Sequence, residues 1–279
     1  MTLLVHVAFL LLCAPPPSVY GAPPPSVYGA PPVLLLHGVA SDSLTVQDLA
    51  TWISDTFHVK VVNLEIGNGK KTSLNVQMPS QLDMLCNLIY SMKELENGFD
   101  FIGMSQGGLL ARGYVERCNR FPVRNLITLA TPHGGTYVAD TPRFLIPTSV
   151  KGYWRDPTNL EEYLQKCDYL PGLNTETETV HQLKQRRNIV SLQNLVLIWS
   201  TEDGVVNPHQ SGAFSFYDKD FNIIPIQQTT VYQTLGIKTL DETNRFHIYN
   251  TNCTHQDHKE SHCYENQLHH ILQLYIGTH

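Results

Sequence analysis

The sequence predicts an α/β protein built on a mostly parallel sheet, with helices on both faces and a helical insertion partway along. Three observations carry that reading. Between residues 33 and 130, apolar runs of strand length alternate with stretches of helical periodicity, the order that builds parallel strands joined by crossover helices. From Thr131 to about residue 193 the alternation stops, and only short helical pieces can be read. Strand-like runs return at 194–199 and near 246–250, followed by an amphipathic stretch at 266–276.

Val33–Leu36 is a continuous apolar run ending at His37-Gly38, as a strand covered on both faces should read. Residues 43–57 place Leu49, Trp52, Ile53 and Phe57 at helical spacing. A strand is expected over 58–66, a helix over 79–96, a strand over Phe99–Met104, a helix over 106–118 and a strand over 125–130. The helix over 79–96 carries Leu82, Leu85, Cys86, Ile89 and Met92 on one face. Inside the insertion, Thr158-Asn159-Leu160-Glu161 has the spacing of a capping box. It should open a helix lined on one side by Leu160, Tyr163, Leu164 and Cys167.

The 279 residues, 42% of them apolar and 16% charged, leave ample chain for a sizeable core. A net charge of −6, with no cluster of Lys and Arg, argues against nucleic acid as a partner. The opening MTLLVHVAFLLLCA is too short to span a bilayer and suits the apolar region of a secretory leader, although no Lys or Arg precedes Lys60. Residues 1–21 are assigned to that signal peptide, with cleavage between 14 and 29; a buried N-terminal strand is the other reading. The repeat APPPSVYGAPPPSVYGAPP follows, and its prolines make residues 22–32 an extended tether. Residues 33–279 form the remaining domain, with the insertion at about 132–193. No later stretch reaches transmembrane length, so no stable membrane anchor is expected.

Six cysteines are present, and leader cleavage removes Cys13. In an oxidising compartment the other five allow two disulfides and one thiol. Cys86 and Cys118 lie in adjacent expected helices, and Cys253 with Cys263 is a second candidate pair that leaves Cys167 over. Asn252-Cys253-Thr254 is a glycosylation sequon.

The chemistry concentrates at Gly103-Met104-Ser105-Gln106-Gly107. An expected strand precedes Ser105, an expected helix follows it, and glycines flank it two residues to each side. That is what a nucleophile on a sharp strand-to-helix turn requires. Two backbone N–H groups should then hold an oxyanion: Gln106, next after the serine, and Val39, in the loop after the first strand. Asp203 stands just beyond the apolar run at 194–199, where the acid of a triad belongs; Glu202 is its competitor. For the base the sequence offers His255, His258 and His262 within eight residues. His255 is nearest the last strand, and His258 comes next. With Asp257 and the two cysteines, the same cluster also reads as a metal site, though without a recognised zinc spacing. These parts describe acyl transfer without a cofactor: His255 deprotonates Ser105, Asp203 orients the imidazole, and an acyl-serine is hydrolysed by water.

Several stretches together resemble the palmitoyl-protein thioesterase family of lysosomal α/β hydrolases. They are LLLHGVASD at 34–42, VVNLEIGNG at 61–69, GMSQGG at 103–108, YWRDPTNLEEYLQKCDYLPGLN at 153–174, DGVVNPHQSGAFSFYD at 203–218 and TTVYQTLGIKTLDE at 229–242. The resemblance spans about residues 33 to 276, and Leu64-Glu65-Ile66-Gly67 is closer to the protein-depalmitoylating branch. It implies an α/β-hydrolase fold, Ser105, Asp203 and His255 as the triad, and a Cys86–Cys118 disulfide. It also implies that the insertion builds an acyl-binding lid, with Phe144, Leu145, Ile146, Tyr153, Trp154, Tyr169 and Leu170 as candidate walls; core packing is the other reading of each. The implied substrate is a fatty-acylated protein or peptide, or an acyl-CoA-like thioester, met in the lysosome or outside the cell.

Three features depart from the family. Cys253-Thr254-His255 replaces the usual Gly-Asp-His, in a segment several residues longer. The cysteine pair that often follows the His-Gly loop is missing. Thr131-Pro132-His133-Gly134-Gly135 looks more like a bacterial-type lipase, and His133, preceding the acid, reads as structural. A secreted lipase or carboxylesterase and a non-catalytic lipid- or metal-binding relative therefore stay open beside the thioesterase. A histidine base of ordinary pKa, about 6.5, predicts activity that rises toward neutrality.

Overall fold

The computed structural model describes residues 29–177 and 180–277. The assigned leader and most of the proline-rich segment lie outside the described residues. Six strands form one sheet, all in parallel: β1 (Val33–Leu36), β2 (Val61–Leu64), β3 (Phe99–Met104), β4 (Val123–Leu129), β5 (Asn194–Ser200) and β8 (Phe246–Thr251). Their spatial order is β2-β1-β3-β4-β5-β8, and the short antiparallel pair β6 (Phe216–Tyr217) and β7 (Ile223–Ile224) stands apart. The helices before the insertion are α1 (Gln47–Phe57), α2 (Gly69–Asn75), α3 (Met78–Ser91) and α4 (Gln106–Gly113); within it lie α5 (Leu160–Lys166), α6 (Leu170–Leu173) and α7 (Gln182–Val190).

Strand alternation sorts the apolar residues into two cores. Leu34, Leu36, Phe101, Leu126 and Leu197 point to one face, where they pack against α3, α4 and the insertion. Val33, Leu35, Ile102, Ile127 and Val196 point to the other, against α1 and the C-terminal helical run that includes Leu268 and Leu272. A parallel sheet covered on both faces needs this two-sided apolar composition. Each such side chain contributes about 1.5–3 kcal/mol on burial.

At the end of the sheet where the strands begin, a line of polar side chains crosses four strands. His247 Nε2 donates to Asn194 Oδ1 (3.1 Å), Asn194 Nδ2 to Asn125 Oδ1 (2.8 Å), and Asn125 Nδ2 to Asp100 Oδ1 (2.9 Å). Asn125 Nδ2 also donates to the Tyr275 carbonyl (3.0 Å), which ties the C-terminal run to the sheet.

Some boundaries differ from expectation. The strand expected over 58–66 is only β2, because His58 ends α1 in the left-handed conformation (φ +54°) and residues after Leu64 turn away into a loop. α3 begins at Met78 with Pro79 in its first turn and stops at Ser91, followed by a separate 3₁₀ turn. α4 passes at Tyr114 into a π turn ending at Cys118. The capping box is displaced by one residue: Asn159, not Thr158, caps α5, accepting from Glu162 N–H while its amide donates to Glu162. Thr158 is held instead by Asp156, and Leu160 on α5 is exposed rather than packed. The expected C-terminal helix starts earlier, at Ser261, and its last α-helical residue is Leu272.

Both candidate cysteine pairs are bonded, Cys86 to Cys118 and Cys253 to Cys263, with Cys167 left as a thiol. The first joins α3 to the end of the π turn. The second closes the segment between β8 and the C-terminal run.

Candidate active site

β3 delivers Ser105 into a turn with φ +53° and ψ −126°, a backbone strain that costs on the order of 1–3 kcal/mol. The strain is held by close packing from behind. A Cβ on Gly107 would stand 2.3 Å from the His37 carbonyl oxygen and 2.5 Å from that of Leu36, so only glycine lets α4 begin against the end of β1. Ser105 N–H donates to the Leu129 carbonyl (2.7 Å), fixing the turn to β4 as well.

Three side chains from three strand ends meet there. His255 Nε2 lies 3.0 Å from Ser105 Oγ, and His255 Nδ1 lies 2.8 Å from Asp203 Oδ2. Because the carboxylate can only accept, Nδ1 carries the proton and Nε2 faces the serine hydroxyl as an acceptor. The other Asp203 oxygen accepts from Val205 and Val206 N–H, at 2.9 Å each. Burial works to raise the Asp203 pKa, but His255 and these two amides outweigh it and hold the carboxyl below its usual value. Glu202, the competing acid, is exposed on the surface.

His258 is turned away from the serine. Its Nδ1 donates to the Thr254 carbonyl (3.0 Å) and its Nε2 pairs with Thr251 Oγ1 (3.0 Å), so it braces the loop that carries His255. Burial, assisted by the nearby His255, lowers its pKa. His262 lies on the surface near Asp257. With Cys253 and Cys263 bonded to each other, no group of three His, Cys, Asp or Glu among the described residues is placed to hold a metal ion. His133 is fully buried, paired with Thr128 Oγ1 (2.9 Å) and stacked on Phe214 (4.4 Å), and burial holds its pKa well below the ordinary value.

The Gln106 amide sits in the first turn of α4, where N–H groups have no intrahelical partner. Its side chain is anchored away from the serine: Nε2 donates to the Ser73 carbonyl (2.9 Å), and Oε1 accepts from Tyr153 OH (3.0 Å). Val39 follows Gly38, and a Cβ on Gly38 would stand 2.9 Å from the Ser105 Cβ, so this loop lies directly against Ser105. The two candidate oxyanion donors therefore come from the first turn of α4 and from the loop after β1, both next to Ser105.

The candidate groove residues divide. Tyr169 and Leu170 are fully buried, with Tyr169 OH donating to the Leu109 carbonyl, and have no surface to offer an acyl chain; they are core. Tyr153 is buried and engaged with Gln106. Phe144 and Leu145 are 83% and 63% exposed on a 3₁₀ turn. Ile146 and the half-buried Trp154 line a cavity of about 350 Å³ inside the insertion, with Tyr137, Arg143 and Lys151 among its other walls; none of Ser105, Asp203 or His255 lines it. Asn252, the sequon residue, is exposed, and its backbone N–H donates to Gln267 Oε1.

Sequence reasoning missed the supports around this site. Glu65 marked only a family segment, yet it accepts from His37 Nε2 (2.9 Å) and from Ser43 N–H (2.8 Å). Burial opposes its ionisation, while these bonds and His37 lower its pKa overall. The Tyr153–Gln106 bond was equally invisible, since 47 residues separate the partners.

The parallel sheet, the serine on its turn and the helical insertion define an α/β hydrolase. A monoacylglycerol lipase from Paleococcus ferrophilus has the same fold, with a TM-score of 0.53 at 13% identity over 90% of this chain and 96% of that one. Residues 32–255 match the palmitoyl protein thioesterase family. Palmitoyl-protein thioesterase 3 of Dictyostelium discoideum is 36% identical over 83% of this chain and 87% of its own. The lysosomal thioesterase PPT2 homolog of Drosophila melanogaster is 28% identical over 88% and 91%. The chain belongs to the palmitoyl protein thioesterase family.

Proposed function

We propose that this protein hydrolyses long-chain fatty acyl thioesters, removing palmitate from S-acylated cysteines of proteins or peptides, with Ser105, His255 and Asp203 as its triad. The hydrogen-bonded line from Ser105 Oγ through His255 to Asp203 carries the assignment, at 3.0 and 2.8 Å. Family membership and the names of the relatives support the substrate class.

In the proposed reaction His255 Nε2 takes the Ser105 proton as Oγ attacks the thioester carbonyl. The Val39 and Gln106 N–H groups receive the oxyanion, where each such donor contributes about 10²–10³ in rate. The C–S bond breaks and the thiolate takes the proton from His255. A thiol of pKa about 8.5 departs with less acid assistance than an amine needs. Water, deprotonated by His255, then attacks the acyl-serine and releases the fatty acid and Ser105. The relatives' lysosomal names and the two disulfides support a lysosomal or secreted location. Residues 1–21 serve as the leader and 22–32 as a tether in this reading. No described helix is long and apolar enough to cross a membrane.

The test is hydrolysis of a palmitoyl thioester beside its oxygen-ester analogue. Thioester turnover should exceed ester turnover, and Ser105→Ala and His255→Ala should each lower it by about 10⁴–10⁶. Equal or faster ester cleavage would make the protein a lipase or carboxylesterase. Turnover that survives Ser105→Ala would remove the nucleophile assignment.

A further inference from the structure

His37 is a buried histidine with an acceptor at each ring nitrogen. Nδ1 lies 2.9 Å from the Gly38 carbonyl oxygen and Nε2 lies 2.9 Å from Glu65 Oε1. A carbonyl oxygen only accepts, so Nδ1 must donate. Glu65 Oε1 also receives Ile66 N–H (3.1 Å) and its Oε2 receives Ser43 N–H (2.8 Å), the environment of an ionised carboxylate. Nε2 must therefore donate as well, and both bonds exist together only when the ring carries two protons.

The placement of the pair gives it a consequence. Gly38 packs on Ser105, and Val39, proposed above as an oxyanion donor, is the next residue. Glu65 joins the loop after β2 to two points on the loop after β1, His37 and Ser43. The charged groups facing His37 are Glu65 and, on its own loop, Asp42, which is also near Lys70 of α2. α4 meets it through the Gly107 backbone, and His255 meets Ser105 Oγ.

We propose that His37 and Glu65 are a positioning pair that seats the Val39 N–H beside Ser105 while His37 holds both protons. The inference rests on the thioesterase reading and assigns a regulation to the same site. His255 must be neutral to act as a base, whereas His37 must be charged to hold its loop. The two histidines thus make opposite demands on pH, so a falling limb on the alkaline side would mark loss of the second His37 proton.

The experiment joins kcat/KM against pH with an NMR titration of the His37 ring, in wild type, Glu65→Gln and Glu65→Asp. Removing the carboxylate charge should move the His37 midpoint about one to three pH units lower, and the falling limb should move with it. The kcat of Glu65→Gln should drop by at least about 10-fold while KM stays within about threefold, as expected when an oxyanion donor is misplaced and substrate binding is left intact. Glu65→Asp, which keeps the charge, should fall between the two and guards against a folding defect in the amide variant. A falling limb that stays in place in Glu65→Gln, or a His37 ring with a single proton at the pH of peak activity, overturns the pair. The titration needs no substrate, so it judges the pair separately from the functional reading, which fails instead if wild type releases no palmitate.

Discussion

Replacing Asp100 with asparagine should change how stability depends on pH, by an amount that follows from its surroundings. Asp100 is buried near the start of β3, with Oδ1 accepting from the backbone N–H (3.2 Å) and side-chain amide (2.9 Å) of Asn125. Burial raises its pKa from 3.8 to about 6, against the lowering pull of Arg124 and the Asn125 hydrogen bonds. A carboxyl raised on folding keeps a proton that the unfolded chain releases. Its stabilising contribution is therefore full below the unfolded value and disappears as pH rises through about 6. Between about pH 4.5 and about pH 7.5 the loss amounts to about 2 kcal/mol, or about 4–8 °C in Tm for a domain of this size.

The wild-type curve alone does not isolate this group, because buried His133 and His258 act in the opposite sense. Their pKa values are lowered, so they withdraw stability as pH falls. Asparagine imitates the protonated carboxyl and does not titrate, so the difference between variant and wild type leaves Asp100 alone. Calorimetric melts of both proteins across that pH range should show the variant gaining about 4–8 °C on wild type as pH rises. A difference that is constant with pH would refute the raised pKa of Asp100 and the stability effect built on it.

Cys253→Ser should lower stability by about 2–4 kcal/mol and also reduce kcat with KM little changed, because the bridge closes the loop bearing His255. Cys86→Ser should cost similar stability yet leave the kcat of folded enzyme intact; equal kcat losses in both variants would deny the second bridge its special place. Gly107→Ala should destabilise the fold by at least about 1–3 kcal/mol and weaken fluorophosphonate labelling of Ser105, and an unchanged melt would contradict the close approach to β1. His258→Gln should lose about 1–3 kcal/mol of stability but retain thioester turnover within about 10-fold; a loss matching that of His255→Ala would make His258 the proton carrier.

Local patterns in the sequence read well where one side chain or one run decides the structure. β1 and β3 are legible to the residue, β1 as a continuous apolar run ending at His37-Gly38 and β3 because the Ser105 turn marks where it stops. Ser105 and Asp203 stand out because each follows a strand, and strand ends are visible. β2 reads too long because Glu65 and Ile66 continue the alternation, yet the ladder ends at Leu64, where Ile66 N–H turns to the Glu65 carboxylate and that carboxylate bonds to the neighbouring loop. Long-range pairings leave little trace. The Glu65–His37 bond joins residues 28 apart, and nothing in their spacing announces it. Phe144 and Leu145 look like groove walls because they are large and apolar, but a single 3₁₀ turn has no periodicity to tell an inward side chain from an outward one. His258 differs from His255 only by position; its engagement with Thr251 requires the register of β8.

The Cys253–Cys263 bridge bears on when, as well as how, the enzyme works. It closes a ten-residue span that includes His255 and is the only covalent tie of that segment back to the C-terminal run among the described residues. With both cysteines reduced, the Ser105 turn keeps its packing and its bond to the Leu129 carbonyl, whereas the segment carrying His255, the proposed base, loses this tie. Under the proposed triad, oxidation of Cys253 and Cys263 would complete the site after the serine turn has formed.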